Sequence, residues 1–318
     1  MPSAKRIRRR IISVSKTQQI MRAMNLVAAT KLQTAREQLV VARDLFSNLV
    51  DTIGCFRDNP EAMKNRYVAG RRVRNIAYLV ITSDRGLCGG YNTNIIDKSI
   101  AAMAGRDNEH IIALGMQGWD HFIRTGQNVV RGHIGMTETV YFDNAERVGD
   151  LLLSLYTLEK VDEAYIIYTH FNSALSCEPK IIRVLPICSS RPSVVPGAVV
   201  DLKQVINGRV TDDLSAAELN EDGNHSVEPY RWVGYEPDVN TFLSAAIQYY
   251  ITAVVYYAMV ESSTSENASR MVSMDNAEKS ADDVIEKLTL LYNRDRKNRV
   301  TREIIEIVSG ANALQPDD

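Results

Sequence analysis

The sequence predicts an α/β insert domain, a mostly parallel sheet with flanking helices, carried on a long antiparallel coiled coil of the N- and C-terminal helices. Three observations predict it. Apolar residues recur in sevens at both ends of the chain, and the region between alternates short apolar runs with helical periods. The two heptad segments also lie far apart in sequence, so they can pair antiparallel if the insert returns the chain to where it left.

The first helix opens after Pro2 with Ser3 as its N-cap and runs until Asn59-Pro60 stops it. Its seam reads Ile11, Val14, Gln18, Met21, Asn25, Ala28, Leu32, Ala35, Leu39, Ala42, Phe46, Leu49, Ile53 and Phe56. Gln18 and Asn25 are its polar members, of the kind that fix register. The last helix starts at Pro237-Asp238 and answers with Phe242, Ala246, Tyr249, Ala253, Tyr256 and Val260, then Met274, Ala277, Ala281, Val284, Leu288 and Leu291. Ser263, Asn267 and Arg270 interrupt that row. At about 1.5 Å per residue the first helix is roughly 80 Å long and the last roughly 110 Å, so the last overhangs the first. The overhang carries Ile304, Ile305, Ile307 and Val308, apolar surface with no intramolecular partner, which calls for an enclosing socket.

In the insert, residues 75–83 form a short apolar run that reads as a buried strand, followed by the glycine turn Asp84-Arg85-Gly86-Leu87-Cys88-Gly89-Gly90 and a helix over 91–103. Strands over 110–114, 128–134 and 163–170 alternate with helices over 117–125 and 143–158, and residues 180–187 suit an antiparallel edge strand. From 189 to 231 the pattern dissolves into Pro, Gly and Asp signals, a loop-rich connection. The expected division is therefore 1–58 with 237–318 as the shaft, 73–188 as the α/β domain and 189–236 as its connection.

A composition of 45% hydrophobic and 24% charged residues suits an ordinary folded chain and argues against disorder. The formal net charge of −2 argues against a general nucleic-acid binder, although the first acidic residue, Glu37, comes only after nine cations from Lys5 to Arg36. Cys55, Cys88, Cys177 and Cys188 show no metal-ligand spacing, and free thiols in a reducing compartment are the reading. The arginine-rich start imitates a mitochondrial presequence, but its apolar positions continue the seam without a break. Residues 239–260 carry no charge and reach the length of a membrane span, yet polar residues and tyrosines are spread along them, so a helix buried on several faces is expected.

No catalytic constellation stands out. The glycine turn follows a strand, where backbone N–H groups can cradle a phosphate, but Gly86, Gly89 and Gly90 do not make G-x-G-x-x-G and no Gly-Lys-Ser/Thr follows. An exposed turn presenting Asp84, Arg85 and Cys88 to a partner is the favoured reading. The five histidines are scattered, and neither metal nor cofactor is expected. Arg8-Arg9-Arg10 lacks base-reading neighbours and reads as a solvated or partner-facing run.

These residues resemble the gamma subunit family of rotary F-type ATP synthases. The resemblance rests on 7–8 through 16–20, 23–24 through 27–32, the turn 84–90, Tyr235-Glu236-Pro237-Asp238, the run 268–274, and 300–311. It implies a central shaft inside a hexamer of alternating alpha and beta subunits, one copy per complex, with the insert as a foot on the membrane ring of c subunits beside the epsilon subunit. The site would be peripheral, on the cytoplasmic face of a bacterial membrane, and proton flow would drive rotation. By the same resemblance Met24, Arg270, Arg296 and Thr301 match coupling positions. Asp84, Arg85 and Cys88 would face the beta subunits, Tyr235 and Glu236 the ring, and Ile304, Ile307 and Val308 the bearing. Glu278-Lys279-Ser280, Asp295 and Lys297 depart from the family pattern, and 189–231 is longer than its usual connection. The alternatives are a doubly wound nucleotide-binding enzyme that dimerises through its long helices, and a DNA-associated coiled-coil protein.

Overall fold

The computed structural model describes residues 4–54, 62–105, 108–187, 195, 198 and 239–313. The expected N-cap Ser3, the loop-rich connection 189–236 apart from residues 195 and 198, and the ring-contact residues Tyr235 and Glu236 lie outside the described residues. Two compact units emerge, one of Met1–Ala29 with Arg270–Asp318, the other of Thr30–Ser269.

The chain begins with α1 (Ala4–Gly54), a helix whose interior holds neither Gly nor Pro. A 3-10 turn (Ala62–Lys64) and the short α2 (Arg66–Ala69) follow, the latter capped by Asn65, whose side chain accepts from the Tyr67 N–H at 3.1 Å. Strands β1 (Ile76–Ile81), β2 (Glu109–Leu114), β3 (Val129–His133), β4 (Glu163–Ser173) and β5 (Ser176–Leu185) alternate with α3 (Tyr91–Met103), α4 (Met116–Arg124) and α5 (Phe142–Thr157). The last helix, α6 (Val239–Ala313), spans 75 residues.

The sheet order is β3-β2-β1-β4-β5, with β1, β2, β3 and β4 parallel and β5 antiparallel at the edge. Strand β1 is buried at all six positions, as a central strand covered on both faces must be. One face packs Tyr78, Val80 and Tyr165 against Ile95 and Ile96 of α3 and Phe122 of α4. α6 meets α5 where Gly149 faces Ile251 and Thr252, and a Cβ there would stand 3.4 Å from Thr252 Oγ1.

Three expectations for the helices are corrected. In α6 the predicted row misses the buried face over 242–260: Tyr249 is exposed while Tyr250 and Leu243 are buried. The side of α6 that carries Leu243, Ile247, Tyr250, Ile251 and Val254 is wider than a two-helix seam, and α5 of the α/β domain draws on it, Gly149 facing Ile251 and Thr252. The polar stretch 261–267 does not interrupt burial either, since every residue in it is buried. In α1 the buried position after Phe46 is Val50 rather than Leu49, the drift expected when 3.6 residues per turn run against a 3.5 repeat. The charge-free stretch of α6 is a core segment, with residues 250–260 buried except for part of Tyr256.

Candidate partner-contact site

In the unit Thr30–Ser269 the glycine turn leaves the C-terminal end of β1. Its acidic residue is turned inward: Asp84 Oδ1 accepts from the Met116 N–H at 3.1 Å, and Oδ2 accepts from the Gly135 N–H at 3.1 Å and the Thr137 hydroxyl at 2.8 Å. Met116 is the first residue of α4, so the carboxylate occupies the anion position at that helix N-terminus. Gly115 makes this approach possible. Its φ is +96°, and a Cβ there would stand 2.2 Å from the Thr82 carbonyl oxygen.

Cys88 is also internal, at 1% exposure, with the Asn92 amide donating to its Sγ at 3.2 Å and Ser83 Oγ 3.7 Å away. Cys88 is thus held inside the turn, while Asp84 is half-buried and ties the turn to α4 and to the segment after β3. What the turn shows to solvent is Arg85 and Leu87, the latter 63% exposed with φ +64°. Nothing in the local pattern of the sequence marks the left-handed backbone of Leu87 or its exposure.

Arg85 is held from two sides. Its carbonyl accepts from Ser83 Oγ at 2.6 Å, and its guanidinium Nε lies 2.7 Å from Glu138 Oε1. The other oxygen of Glu138 is 3.9 Å from Nζ of Lys31 on α1.

The C-terminal ends of β1 and β4 are where a doubly wound sheet changes direction and where such folds hold their ligands. Here α6 fills that place. The Thr169 N–H donates to Ser262 Oγ at 3.4 Å, and Ser265 Oγ donates to the Thr169 carbonyl at 3.2 Å. Burial, followed by the nearby Glu266 charge, pushes the phenol of Tyr91, at the start of α3, well above its ordinary pKa. Next to this layer Glu261, fully buried, lies 2.7 Å from His170 Nδ1 and accepts from the Tyr257 hydroxyl at 2.7 Å. Burial and then the Glu261 charge raise the Tyr257 phenol, keeping it a donor. Tyr257 in turn stacks on Phe46 of α1, ring centroids 4.7 Å apart.

In the unit Met1–Ala29 with Arg270–Asp318, α1 and α6 run antiparallel. Gln18 Nε2 donates to Asp282 at 2.6 Å, Arg22 Nε lies 4.0 Å from Glu278, and Asn25 Nδ2 donates to the Met271 carbonyl at 3.3 Å. Met24 and Arg270 are half-buried. Near its start α1 places Arg6, Ile7 and Arg10 against Leu288, Leu291, Arg294, Asp295 and Asn298, which line an open groove. Beyond Asn298, α6 continues for 15 residues to Ala313, about 22 Å, and every residue from 299 to 309 is exposed. Arg296 and Thr301 are exposed, though the Thr301 hydroxyl donates to the Lys297 carbonyl at 2.9 Å on its own helix. Ile304, Ile305, Ile307 and Val308 are 55, 56, 71 and 52% exposed, a bare apolar helix end.

The class these features define is a long helix pair with an α/β insert whose strand-end crevice is filled by a helix of the same chain. A sequence model described as ATP synthase matches residues 3–314. The chain is 34% identical to the ATP synthase gamma chain of Alkaliphilus metalliredigens, over 97% of this chain and 98% of that one. It is 32% identical to the gamma chain of Heliobacterium modesticaldum, over 99% and 100%. A third relative, 32% identical over 97% of each chain, is the sodium ion specific ATP synthase gamma chain of Acetobacterium woodii. Its fold is similar to a chain of the Euglena gracilis mitochondrial ATP synthase OSCP/F1/c-ring structure, with TM-score 0.65, 18% identity and coverage of 98% and 94%. A chain of the Tetrahymena thermophila central stalk and c-ring gives TM-score 0.53 at 20% identity, covering 81% and 99%. The chain belongs to the ATP synthase gamma chain family.

Proposed function

We propose that this chain is the rotor of a bacterial F-type ATP synthase and performs no bond chemistry itself. The observation that supports this reading most is the uncovered end of α6, where Ile304, Ile305, Ile307 and Val308 stand in solvent on a helix that has outrun its partner. In the proposed complex a sleeve of alternating alpha and beta subunits encloses that end. Apolar side chains in a smooth sleeve are desolvated without being locked, as a turning bearing requires.

A rotor acts on a catalytic site only through differential contact: it must touch one conformation of its partner better than another. Two helices of different surface present a different face to each of three catalytic sites, so turning them shifts each site in sequence. Met24, Arg270, Arg296 and Thr301 are the proposed coupling contacts along the helix pair, and Arg85 with Leu87 the contact at the turn. The division into shaft (1–58 and 237–318), foot (73–188) and connection (189–236) belongs to the same proposal. The foot stands on the ring of c subunits through Tyr235 and Glu236, beside the epsilon subunit, one copy per complex on the cytoplasmic face of the membrane. A proton is the proposed coupling ion. Because one relative is named sodium ion specific, pumping is to be measured against both gradients.

The test compares Met24→Lys with truncation after Gly310 in the assembled, membrane-bound complex. The Lys variant is expected to assemble, hydrolyse ATP and pump fewer ions per ATP, while the truncation retains assembly and most coupling. A Lys variant that couples normally beside a truncation that abolishes assembly would sink the rotor reading of these positions.

A further inference from the structure

The rim of the α/β domain where its parallel strands begin is strongly cationic. Lys64, Arg66, Arg71, Arg72 and Arg74 fall within eleven residues that contain no acid, and Lys160 joins them from the turn between α5 and β4. The two stretches are bound together. The Tyr156 hydroxyl donates to the Arg66 carbonyl at 3.0 Å, the Tyr67 hydroxyl lies 3.0 Å from that of Thr157, and the Arg71 guanidinium donates to Asp162 and to the carbonyls of Tyr156 and Val161. Asp162 is engaged inside, on Arg71 and on the N–H groups of Arg74 and Asn75. Lys64, Arg66, Arg72, Arg74 and Lys160 are exposed, and among the described residues none of the five has an ion-pair partner. Glu159, in the same turn as Lys160, and Glu109, at the start of β2, are too few to neutralise them. Beside these charges Leu158 is 65% exposed. α6 passes Asp150 of α5 at Gln248, reaches Thr169 of β4 at Ser262 and Ser265, and so leaves this unit past the strand C-termini. The cationic rim is at the other end, about 20 Å away along β1.

We propose that this rim rests against the membrane surface and binds the phosphate-bearing headgroups of anionic phospholipids, with Lys64, Arg66, Arg72, Arg74 and Lys160 as the headgroup contacts and Leu158 entering the interfacial layer. This rests on the rotor reading, in which α6 leads away from the membrane and the opposite end of the foot is turned toward it. Clustered Lys and Arg beside a bilayer are drawn to the surface potential of its anionic lipids, and an apolar side chain among them adds burial. The cations stand on anchored backbone: Asn65 caps α2, and the Tyr67 carbonyl accepts from the Ile187 N–H at 2.9 Å. A lipid surface also suits a turning part better than an acidic protein loop. A fixed carboxylate pairs with one arginine at one angle and must be torn from it as the rotor advances, whereas a fluid anionic leaflet offers the same potential at every angle.

The experiment mixes the full chain with vesicles of phosphatidylcholine, alone or with phosphatidylglycerol. A fluorophore on Leu158→Cys, in a chain whose Cys55, Cys177 and Cys188 are replaced by Ser, reports on the rim. A second on Leu175→Cys, at the tip of the β4–β5 hairpin and thus at the opposite strand ends, is the control. Phosphatidylglycerol is expected to shift the emission of the label at 158 and not of that at 175, with the shift fading as salt rises. The bare tip of α6 meets both vesicle types alike, so the comparison isolates charge at the rim. Affinity read at 158 should fall about fivefold for each charge removed, and so roughly a hundredfold in Arg72→Gln/Arg74→Gln/Lys160→Gln. Arg8→Gln/Arg9→Gln/Arg10→Gln removes the same charge from the start of α1 and should leave the signal at 158 in place. An unmoved label at 158 in the otherwise unaltered chain overturns the inference whatever the variants do. Equal losses in the two triple variants overturn it as well, as does displacement by inorganic phosphate at matched ionic strength, which would make the rim an anion site only. Polyglutamate that shifts the label as strongly as the vesicles overturns it in favour of an acidic protein partner. Because the rest of the complex is absent from these mixtures, any such failure leaves the rotor reading to the Met24→Lys test.

Discussion

Asn25 donates its side-chain amide to the main-chain carbonyl of Met271, 3.3 Å across the helix pair, so a polar seam residue is bonded to the backbone of the opposing helix rather than to a side chain. A backbone acceptor has one position along its helix, which makes this bond a register mark. Gln18, seven residues earlier, crosses the pair to a side chain instead, donating to the Asp282 carboxylate.

Asn25→Leu is accordingly expected to raise the stability of the pair by about 0.5–1 kcal/mol, since an apolar side chain suits the seam, while loosening its register. Cysteines placed at Gln18 and Asp282 report the second effect: their disulfide yield falls in the Leu background. An unchanged yield would show that register is held elsewhere.

Glu261 and His170 form a buried pair 2.7 Å apart, with Arg43 4.0 Å from the other carboxylate oxygen. Glu261→Leu strips His170, Tyr257 and Arg43 of their common partner and should cost about 3–5 kcal/mol in denaturant unfolding. The double variant Glu261→Leu/His170→Leu should cost less than the single one, because fewer polar groups are then left unmatched. Equal or greater loss in the double variant contradicts this account.

Asp162 supplies a pH dependence. Burial alone would raise its pKa, but the backbone N–H groups of Asn75 and Arg74 and the Arg71 guanidinium outweigh burial and hold it below the ordinary 3.8. A depressed carboxylate stabilises the fold fully above its unfolded value and loses that contribution as pH falls through its folded value. The acid limb of unfolding below about pH 4 should therefore flatten in Asp162→Asn, which is already weaker at neutral pH.

Gly115→Ala tests how the glycine turn is built. The added Cβ meets the Thr82 carbonyl and the backbone must leave φ +96°, so a loss of about 2–4 kcal/mol is expected, with the Asp84–Met116 contact broken. Gly86→Ala, where nothing lies within 4 Å of the new methyl, should change stability by less than about 0.5 kcal/mol.

The sheet was legible in the sequence because short strand-like runs alternate with helical periods and are closed by turn residues, and β1, β2, β3 and β4 fall within a few residues of their expected places. The antiparallel edge strand was legible too, although β5 begins at Ser176, earlier than the apolar run that marked it, because it continues a hairpin with β4. The face of α6 was less legible. A heptad template assumes one partner helix, and residues 242–260 have several partners, so Tyr249 and Tyr250 exchange roles. The buried polar run 261–267 was read as a break in the seam because burial of Glu261, Ser262, Ser265 and Glu266 is affordable only with partners brought from far along the chain, Thr169 and His170 among them. At the turn, residue types announced a contact surface, but which side chains face outward is decided by Gly135, Thr137 and Glu138, and no local pattern connects those to residue 84.

The row Ile304, Ile305, Ile307 and Val308 has a consequence for how the cell makes this chain. In the reading proposed above, copies synthesised in excess of their companions keep that adhesive tip bare, and it clumps with its own kind or recruits chaperones and proteases. Balanced expression of the subunits is thus a demand written into the last four turns of one helix.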